Sequence, residues 1–152
     1  LPKARQWADL GSGGGFPGLV TAILLADDPA GHVHLIESDG RKCAFLRAVS
    51  RETGLQTTVH HARIEDVVSD FGDIEAVSAR ALAEMDQLVD WALPLLEKGA
   101  IGVFPKGKGH REELTNLSRD SRFNLEICPS ISQSDGAIVL VSRRDHSDGD
   151  VS

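Results

Sequence analysis

The sequence predicts a single α/β domain with a mixed, seven-stranded sheet and helices on both faces. Within Trp7–Gly18, which reads W-A-D-L-G-S-G-G-G-F-P-G, a short apolar run turns through glycines into a helical pattern. Strand-like and helix-like segments then alternate along most of the chain, as they do in proteins with parallel strands. The last two strand-like segments, Phe123–Ile127 and Ala137–Val141, have no helical pattern between them, so they predict an antiparallel hairpin.

Length and composition agree with this class. A chain of 152 residues with 41% hydrophobic and 26% charged residues is typical of one globular domain. No membrane-spanning run or signal peptide is visible, and Cys43 and Cys128 form no C-x-x-C pair, so we expect a cytoplasmic protein with reduced thiols. The histidines show no metal-binding spacing, and neighbouring His60 and His61 would point to opposite faces of a strand. We therefore expect no metal site and no membrane partner.

The glycine-rich segment is the first candidate for a ligand site. Four of the 15 glycines lie within Gly11–Gly15, directly after Asp9. Pro17 then opens a helical pattern that places Leu19, Val20, Ile23 and Leu24 at helical spacing. Glycine lets the backbone approach a ligand closely, and a helix start offers unpaired N–H groups.

More than one class of ligand could fit this segment. Gly13, Gly15 and Gly18 match G-x-G-x-x-G, so an NAD-type dinucleotide module must be considered. A pyrophosphate needs positive charge, yet Asp9 precedes the loop and no Lys or Arg occurs between residues 5 and 41. S-adenosylmethionine has no phosphate and carries an ammonium and a sulfonium, so it suits a carboxylate better. A P-loop is excluded because no Gly-Lys-Ser/Thr follows, and a flexible linker would not be embedded between a strand and a helix.

The second strand supports a nucleoside ligand. His32–Ile36 alternates as a strand and ends at Glu37. In βαβ units an acidic residue at the tip of the second strand, about 20 residues beyond the glycines, binds ribose hydroxyls. An exposed strand-end acid is the alternative for Glu37 alone, but together with Asp9 and the glycines it favours the nucleoside.

The next elements follow from the same patterns. Arg41–Thr53 predicts a helix that ends at Gly54 and buries Phe45, Leu46 and Val49. Its basic residues form either a solvated face or an RNA-facing patch. The remaining predicted segments are strands at Thr57–His61, Ile74–Ser78 and Ala100–Phe104, a core helix from Met85 to Leu96 that carries Trp91 and a kink at Pro94, and a mobile basic loop from Pro105 to Arg111.

Five motifs together resemble one family. They are D-L-G-S-G-G-G-F-P-G, I-E-S at Ile36–Ser38, A-R-I-E at Ala62–Glu65, S-A-R-A at Ser78–Ala81 and F-P-K-G at Phe104–Gly107. The sequence resembles the bacterial small-subunit ribosomal RNA guanine-N7 methyltransferases, also called the glucose-inhibited division protein B family. The resemblance runs from about Trp7 to Val141, and its motifs are specific in combination.

This resemblance implies the class I S-adenosylmethionine-dependent methyltransferase fold, which is Rossmann-like. It implies a methyltransferase domain over residues 1–142, and we expect residues 143–152 to be a disordered tail. The implied partners are S-adenosylmethionine and 16S ribosomal RNA or the small ribosomal subunit. Proteins of the family carry a further N-terminal helical stretch, and this sequence begins at Leu1, so we expect a fragment or trimmed chain.

The residues and the resemblance give two sets of candidate site residues. The expected cofactor-binding residues are Asp9, Gly11, Ser12, Gly13, Phe16, Glu37, Ile64, Glu65 and Arg80, with Ile64 and Glu65 along the adenine by resemblance. An arginine at position 80 could hold a carboxylate bidentately, and a structural salt bridge is its alternative. The expected RNA-binding residues are Lys106, Lys108 and Arg111.

The chemistry implied is positioning, with no obligatory catalytic side chain. The sequence has no Asn/Asp-Pro-Pro-aromatic motif after the fourth strand and no Pro-Cys nucleophile, since Cys128-Pro129 has the reverse order. A formal net charge of −7 argues weakly against nucleic-acid binding. A small-molecule methyltransferase of the same fold and an NAD-type module therefore remain alternatives.

Overall fold

The computed structural model of the chain describes residues 3–80 and 82–145. Its elements in chain order are β1 (Gln6–Leu10), α1 (Gly18–Leu24), β2 (His32–Glu37), α2 (Gly40–Thr53), β3 (Thr57–His61), α3 (Ile64–Val67) with a 3-10 turn (Val68–Asp70), β4 (Ala76–Ala79), α4 (Met85–Glu97), β5 (Ile101–Lys106), α5 (His110–Leu117), β6 (Phe123–Pro129) and β7 (Ala137–Arg143).

The strands form one seven-stranded sheet in the order β3-β2-β1-β4-β5-β7-β6. β1 to β5 are paired in parallel, whereas β7 runs antiparallel to both β5 and β6. The predicted mixed sheet and terminal hairpin are confirmed. The chain leaves β1 toward β2 on one side and returns to β4 on the other, so a crevice opens at the carboxyl ends of β1 and β4, where such sheets bind ligands.

Helices cover both faces of the sheet, as predicted. On one face α3, α4 and α5 pack over a large core to which α4 contributes Met85, Leu88, Val89, Ala92, Leu95 and Leu96. On the other face α1 and α2 pack over a smaller cluster that includes Leu19, Ala22 and Leu46. β2 serves both faces, because Val33 and Leu35 face the smaller cluster and Ile36 faces the larger one.

Two helices exist where they were predicted but bury a different face. α2 begins at its N-cap Asp39 and ends at Gly54, whose φ of 66° lies in the left-handed region. It buries Cys43, Leu46 and Ser50, while Phe45 is 50% exposed, so the prediction that Phe45 is buried was wrong. On α1 only Leu19 of the four predicted apolar positions is buried; Val20, Ile23 and Leu24 are exposed.

Three further differences concern the second half of the chain. α5 was not predicted, because only Leu114 and Leu117 are buried in an otherwise polar segment. β5 continues through Pro105 to Lys106, which were expected in a loop. Arg143 pairs with Phe123 in the last strand, one residue into the expected tail, and the rest of that tail after residue 145 lies outside the described residues. No helix in residues 3–80 and 82–145 is long and apolar enough to cross a membrane.

Candidate active site

A cavity of about 960 Å³ opens at the carboxyl ends of β1 to β4. Its walls are the glycine loop with Phe16, the end of β2 at residues 36–39, residues 61–65 after β3, the segment after β4 with Arg80 and Leu82, and Trp91 of α4. Segments far apart in sequence therefore meet at one edge of the sheet. Of the expected cofactor-binding residues, all except Asp9 line this cavity.

The glycine loop has a backbone that only glycine adopts readily. Gly11, Gly13 and Gly15 have φ of 64°, 53° and 92°. A Cβ on Gly11 would lie 2.8 Å from the side chain of Leu82 at the cavity wall. The Ser12 amide donates to the carbonyl of Ile36 at 2.9 Å, which fixes the loop against the end of β2. The loop therefore presents its backbone to the cavity, as a close-fitting ligand cradle requires.

Glu37 joins the glycine loop to the start of α2. Its carboxylate is 8% exposed, and Oε2 accepts a hydrogen bond from the Gly13 amide at 2.8 Å while Oε1 accepts from the Asp39 amide at 3.0 Å. Each carboxylate oxygen has a further lone pair, so the group can still accept from a ligand hydroxyl in the cavity.

Asp9 occupies a different place from the one expected. Its side chain is 1% exposed and lies on the α1 side of the sheet, beneath the glycine loop. Oδ1 accepts from the Ser78 hydroxyl at 2.7 Å, whereas Oδ2 has no hydrogen-bond partner and faces Gly18. Burial raises the pKa of Asp9 to about 6 against the opposing effect of the Ser78 hydroxyl. Asp9 therefore lies beneath the loop and does not line the cavity, and its contact with the cofactor stays a prediction.

The opposite wall is more apolar. Ile64 is 8% exposed at the start of α3, and the indole N–H of Trp91 donates to Glu65 Oε1 at 3.1 Å. Sequence reasoning placed Trp91 with the helix core and missed its position in the cavity. The available signal was its place beside the buried stripe of α4, with a polar N–H that needs a partner.

Folding also brings cations to the cavity that the glycine-rich segment itself lacks. Arg80 is exposed and lines the cavity together with Lys42 and Arg63. Within the described parts of the chain Arg80 forms no ion pair. Its guanidinium is available to a carboxylate or phosphate.

A family model described as rRNA small subunit methyltransferase G (GidB) matches residues 1–137. The chain belongs to this family. A relative from Methylorubrum extorquens (strain PA1) is 48% identical over 141 residues, covering 93% of this chain and 67% of the relative. One from Parvibaculum lavamentivorans is 51% identical over 140 residues, covering 91% and 62%. Both are named Ribosomal RNA small subunit methyltransferase G, and the chain spans about two thirds of their length.

Solved structures show the same fold at low sequence identity. A methyltransferase from Geobacter sulfurreducens superposes with a TM-score of 0.74 at 18% identity, covering 94% of this chain and 73% of that one. A putative methyltransferase from Streptococcus mutans in complex with SAH gives 0.68 at 10% identity, covering 95% and 93%. The predicted class I methyltransferase fold is confirmed.

The three expected RNA-binding residues of this family member lie in unlike surroundings. The Lys106 ammonium is 2.8 Å from Glu113 Oε2 and donates to the Ala83 carbonyl at 2.9 Å, and its side chain is 10% exposed. The Lys106 ammonium thus already has two partners within the chain, and its contact with RNA stays a prediction. Lys108 is 85% exposed, 3.4 Å from Asp135, and Arg111 is exposed on α5, so both remain predictions for RNA contact.

The adjacent histidines of β3 do point to opposite faces. His61 lines the cavity, whereas His60 packs on the other face with His34 and Phe71. Nδ1 of His34 lies 2.9 Å from Nε2 of His60, and burial lowers the pKa of His34 to about 4. Residues 3–80 and 82–145 contain no cluster of His, Cys, Asp or Glu that could hold a metal ion.

Proposed function

We propose that this chain transfers a methyl group from S-adenosylmethionine to N7 of a guanine in 16S ribosomal RNA. Its family and the names of its relatives support this activity. The observation that carries the choice of cofactor is the 2.8 Å contact between the Gly13 amide and Glu37 Oε2. In a dinucleotide site the amides of this loop point toward the pyrophosphate. Here the Gly13 amide donates to the carboxylate of Glu37, whose negative charge would repel a pyrophosphate.

The residues of the cavity fit this cofactor. Glu37 has lone pairs for the two ribose hydroxyls, and Ile64 and Trp91 offer apolar surface to the adenine. The Arg80 guanidinium suits the carboxylate of the methionine part, and the left-handed backbone at Gly11 leaves room where a Cβ would fill the cradle. When bound, the cofactor supplies a methyl group on a positively charged sulfur.

The substrate atom sets what the chain must do. Guanine N7 carries an in-plane lone pair and no proton, so it can form the new N–C bond without prior deprotonation. The chain needs only to hold base and cofactor close and in line, and positioning of this kind can lower a barrier by up to roughly 7–11 kcal/mol.

Two measurements test the proposal. Calorimetry should show binding of S-adenosylhomocysteine and none of NADH, and Gly11→Val should weaken that binding by at least about tenfold, since a branched side chain at this φ would distort the loop. Gly72→Val is the matched control, because a Cβ at Gly72 meets nothing within 4 Å. Tight NADH binding would favour the NAD-type module.

The second measurement identifies the substrate. Small ribosomal subunits that lack the modification are incubated with the chain and labelled S-adenosylmethionine, and nuclease fragments of the RNA are mapped by mass. One methylated guanine is the expected result. Binding of S-adenosylhomocysteine with no methylation of RNA would instead support a small-molecule methyltransferase.

A further inference from the structure

A second cavity, of about 570 Å³, adjoins the first one and shares Phe16 and Arg80 with it. It lies between Val20 of α1, the end of β5, the β6–β7 loop and Ile138 of β7. Its volume falls in the range of about 300–1,000 Å³ that small-ligand sites occupy. Nothing in the cofactor proposal uses this space. Because the two cavities meet at Phe16 and Arg80, a ligand in the second one would face the first.

The second cavity has an acidic and a basic group side by side. Lys106 and Glu113 both line it and form the 2.8 Å ion pair. Glu113 Oε2 also accepts from the Met85 amide at 3.0 Å, and no hydrogen bond among the described residues uses its Oε1. The pair is thus anchored to the start of α4 and retains an acceptor.

This pair matches the Watson–Crick edge of guanine. That edge presents two neighbouring N–H donors and one carbonyl oxygen; Glu113 Oε1 can accept from an N–H of this edge, and the Lys106 ammonium can donate to the carbonyl oxygen. Adenine presents a bare ring nitrogen where guanine has an N–H, and a carboxylate would repel it. N7 lies on the adjacent Hoogsteen edge, next to the carbonyl oxygen and on the far side of it from the two N–H groups, so a guanine held by its Watson–Crick edge leaves N7 free of Glu113.

Phe16 provides a surface for the base itself. Its ring is 63% exposed where the two cavities join. A large exposed aromatic side chain beside a cavity is the usual platform for an unstacked RNA base. Enzymes that act on a base take it out of the stack into such a pocket.

We infer that the second cavity is the acceptor-base pocket, which takes one unstacked guanine between Phe16 and the Lys106–Glu113 pair. The inference rests on the proposed function and specifies where its substrate binds.

Filling the cavity tests the inference. Val20→Trp and Ile138→Trp place bulk in it from opposite walls, and neither residue lines the cofactor cavity. Leu24→Trp is the matched control, since Leu24 is exposed on the same helix and lines neither cavity. Two quantities are measured. One is the affinity for guanosine 5′-monophosphate, from saturation-transfer NMR with S-adenosylhomocysteine present, and the other is the rate of methylation of small subunits. In both filled variants the affinity for guanosine monophosphate and the rate of methylation should each fall at least about tenfold, while the affinity for S-adenosylhomocysteine stays unchanged.

Each outcome decides one of the two proposals. Filled variants that bind S-adenosylhomocysteine, guanosine monophosphate and RNA substrate as the parent does would overturn the pocket, as would a parent that binds no guanosine monophosphate. A parent that binds the nucleotide in this cavity but methylates no ribosomal RNA supports the pocket and contradicts the proposed function. Retained S-adenosylhomocysteine binding in either filled variant shows that the loss is not unfolding.

The role of Glu113 has its own test. Glu113→Gln should reduce the preference for guanosine over adenosine monophosphate by about tenfold, because it removes the negative charge that favours the ring N–H of guanine over the bare ring nitrogen of adenine. Its neighbour Glu112 does not line this cavity, so Glu112→Gln should leave the preference unchanged. An unaltered preference in Glu113→Gln would contradict the recognition of guanine by this residue.

Discussion

Asp9 is a buried carboxylate with one oxygen bonded to Ser78 and the other without a partner. Burial disfavours its charged form, which raises its pKa from 3.8 to about 6. The folded state therefore binds the Asp9 proton more tightly than the unfolded state does. The stability that this preference contributes is fully present below the ordinary pKa and is lost as the pH rises through the folded pKa.

Replacing Asp9 should expose this dependence. Between about pH 4 and pH 7 the parent should lose on the order of 3 kcal/mol relative to Asp9→Asn, with the loss centred between the two pKa values. Denaturant unfolding of both proteins across this range measures it. Asp39→Asn is the control. Its stability difference from the parent should change with pH in the opposite direction, because hydrogen bonds from backbone amides lower the pKa of Asp39. If the difference in unfolding free energy between the parent and Asp9→Asn did not change with pH, the raised pKa of Asp9 would be contradicted.

The sequence predicts which side chains line the cavity more reliably for residues at the ends of strands than for residues inside strands. Glu37 and Arg80 end or follow a strand, where the side chain meets the ligand edge of a parallel sheet. Asp9 lies within β1, between Ala8 and Leu10 of the larger core, so alternation turns its side chain toward α1. The glycine-rich motif contains Asp9 but does not show toward which face of the sheet its side chain points.

At the scale of elements, the buried strands follow from sequence because they carry apolar residues either in a short run or in alternation. The ends of elements depend on tertiary partners. Pro105 lacks an N–H and predicts a break, yet β5 continues to Lys106 by pairing with β7. The Lys106 ammonium then lies beside Glu113 of α5, a helix that the sequence pattern did not reveal.

The segment from β5 into α5 is the element expected to contact RNA. Replacing Lys108 and Arg111 by alanine should weaken RNA binding and reduce its salt dependence by roughly one unit of slope per lost phosphate contact. Affinity for S-adenosylhomocysteine should not change, since neither residue lines the cofactor cavity. Filter binding across a salt series measures the slope.

A matched double variant separates this segment from the other basic surface. Arg47→Ala with Arg51→Ala removes two charges from α2, whose basic face was the other candidate for RNA contact. If only the α2 variant lowers the slope, RNA binds along α2 and the prediction for Lys108 and Arg111 is wrong.

For the whole molecule, net charge is a poor guide to where RNA could bind. The chain carries −7 overall, yet the fold gathers cations from four separate segments at the carboxyl edge of the sheet. These are Lys42, Arg63, Arg80, Lys108 and Arg111. The same edge also carries carboxylates, among them Glu37, Glu65 and Asp135, so phosphate contacts would depend on the local charge around each cation and not on the net charge of the domain. The composition could not show this edge, because it arises from the order of the strands.

The last prediction concerns the reaction as a whole. As guanine N7 bonds to the methyl carbon, sulfur keeps the electron pair of the bond that breaks, and no proton has to leave the base. The single-turnover rate of methyl transfer should therefore change by less than about twofold between roughly pH 7 and pH 9. This window avoids two folding effects. Asp9 titrates near pH 6, and the lowered pKa of His34, about 4, costs stability as the pH falls below its ordinary value of 6.5.

Rapid-quench measurements on small subunits bound to the chain would give this rate. His61 and Glu65 are two titratable side chains of the cavity wall, and each would be replaced in turn. A rate that rises tenfold per pH unit and is abolished by one of these replacements, with RNA and cofactor still bound, would contradict a reaction without a general base. It would show that the substrate atom must first lose a proton, as an exocyclic amine does and N7 does not.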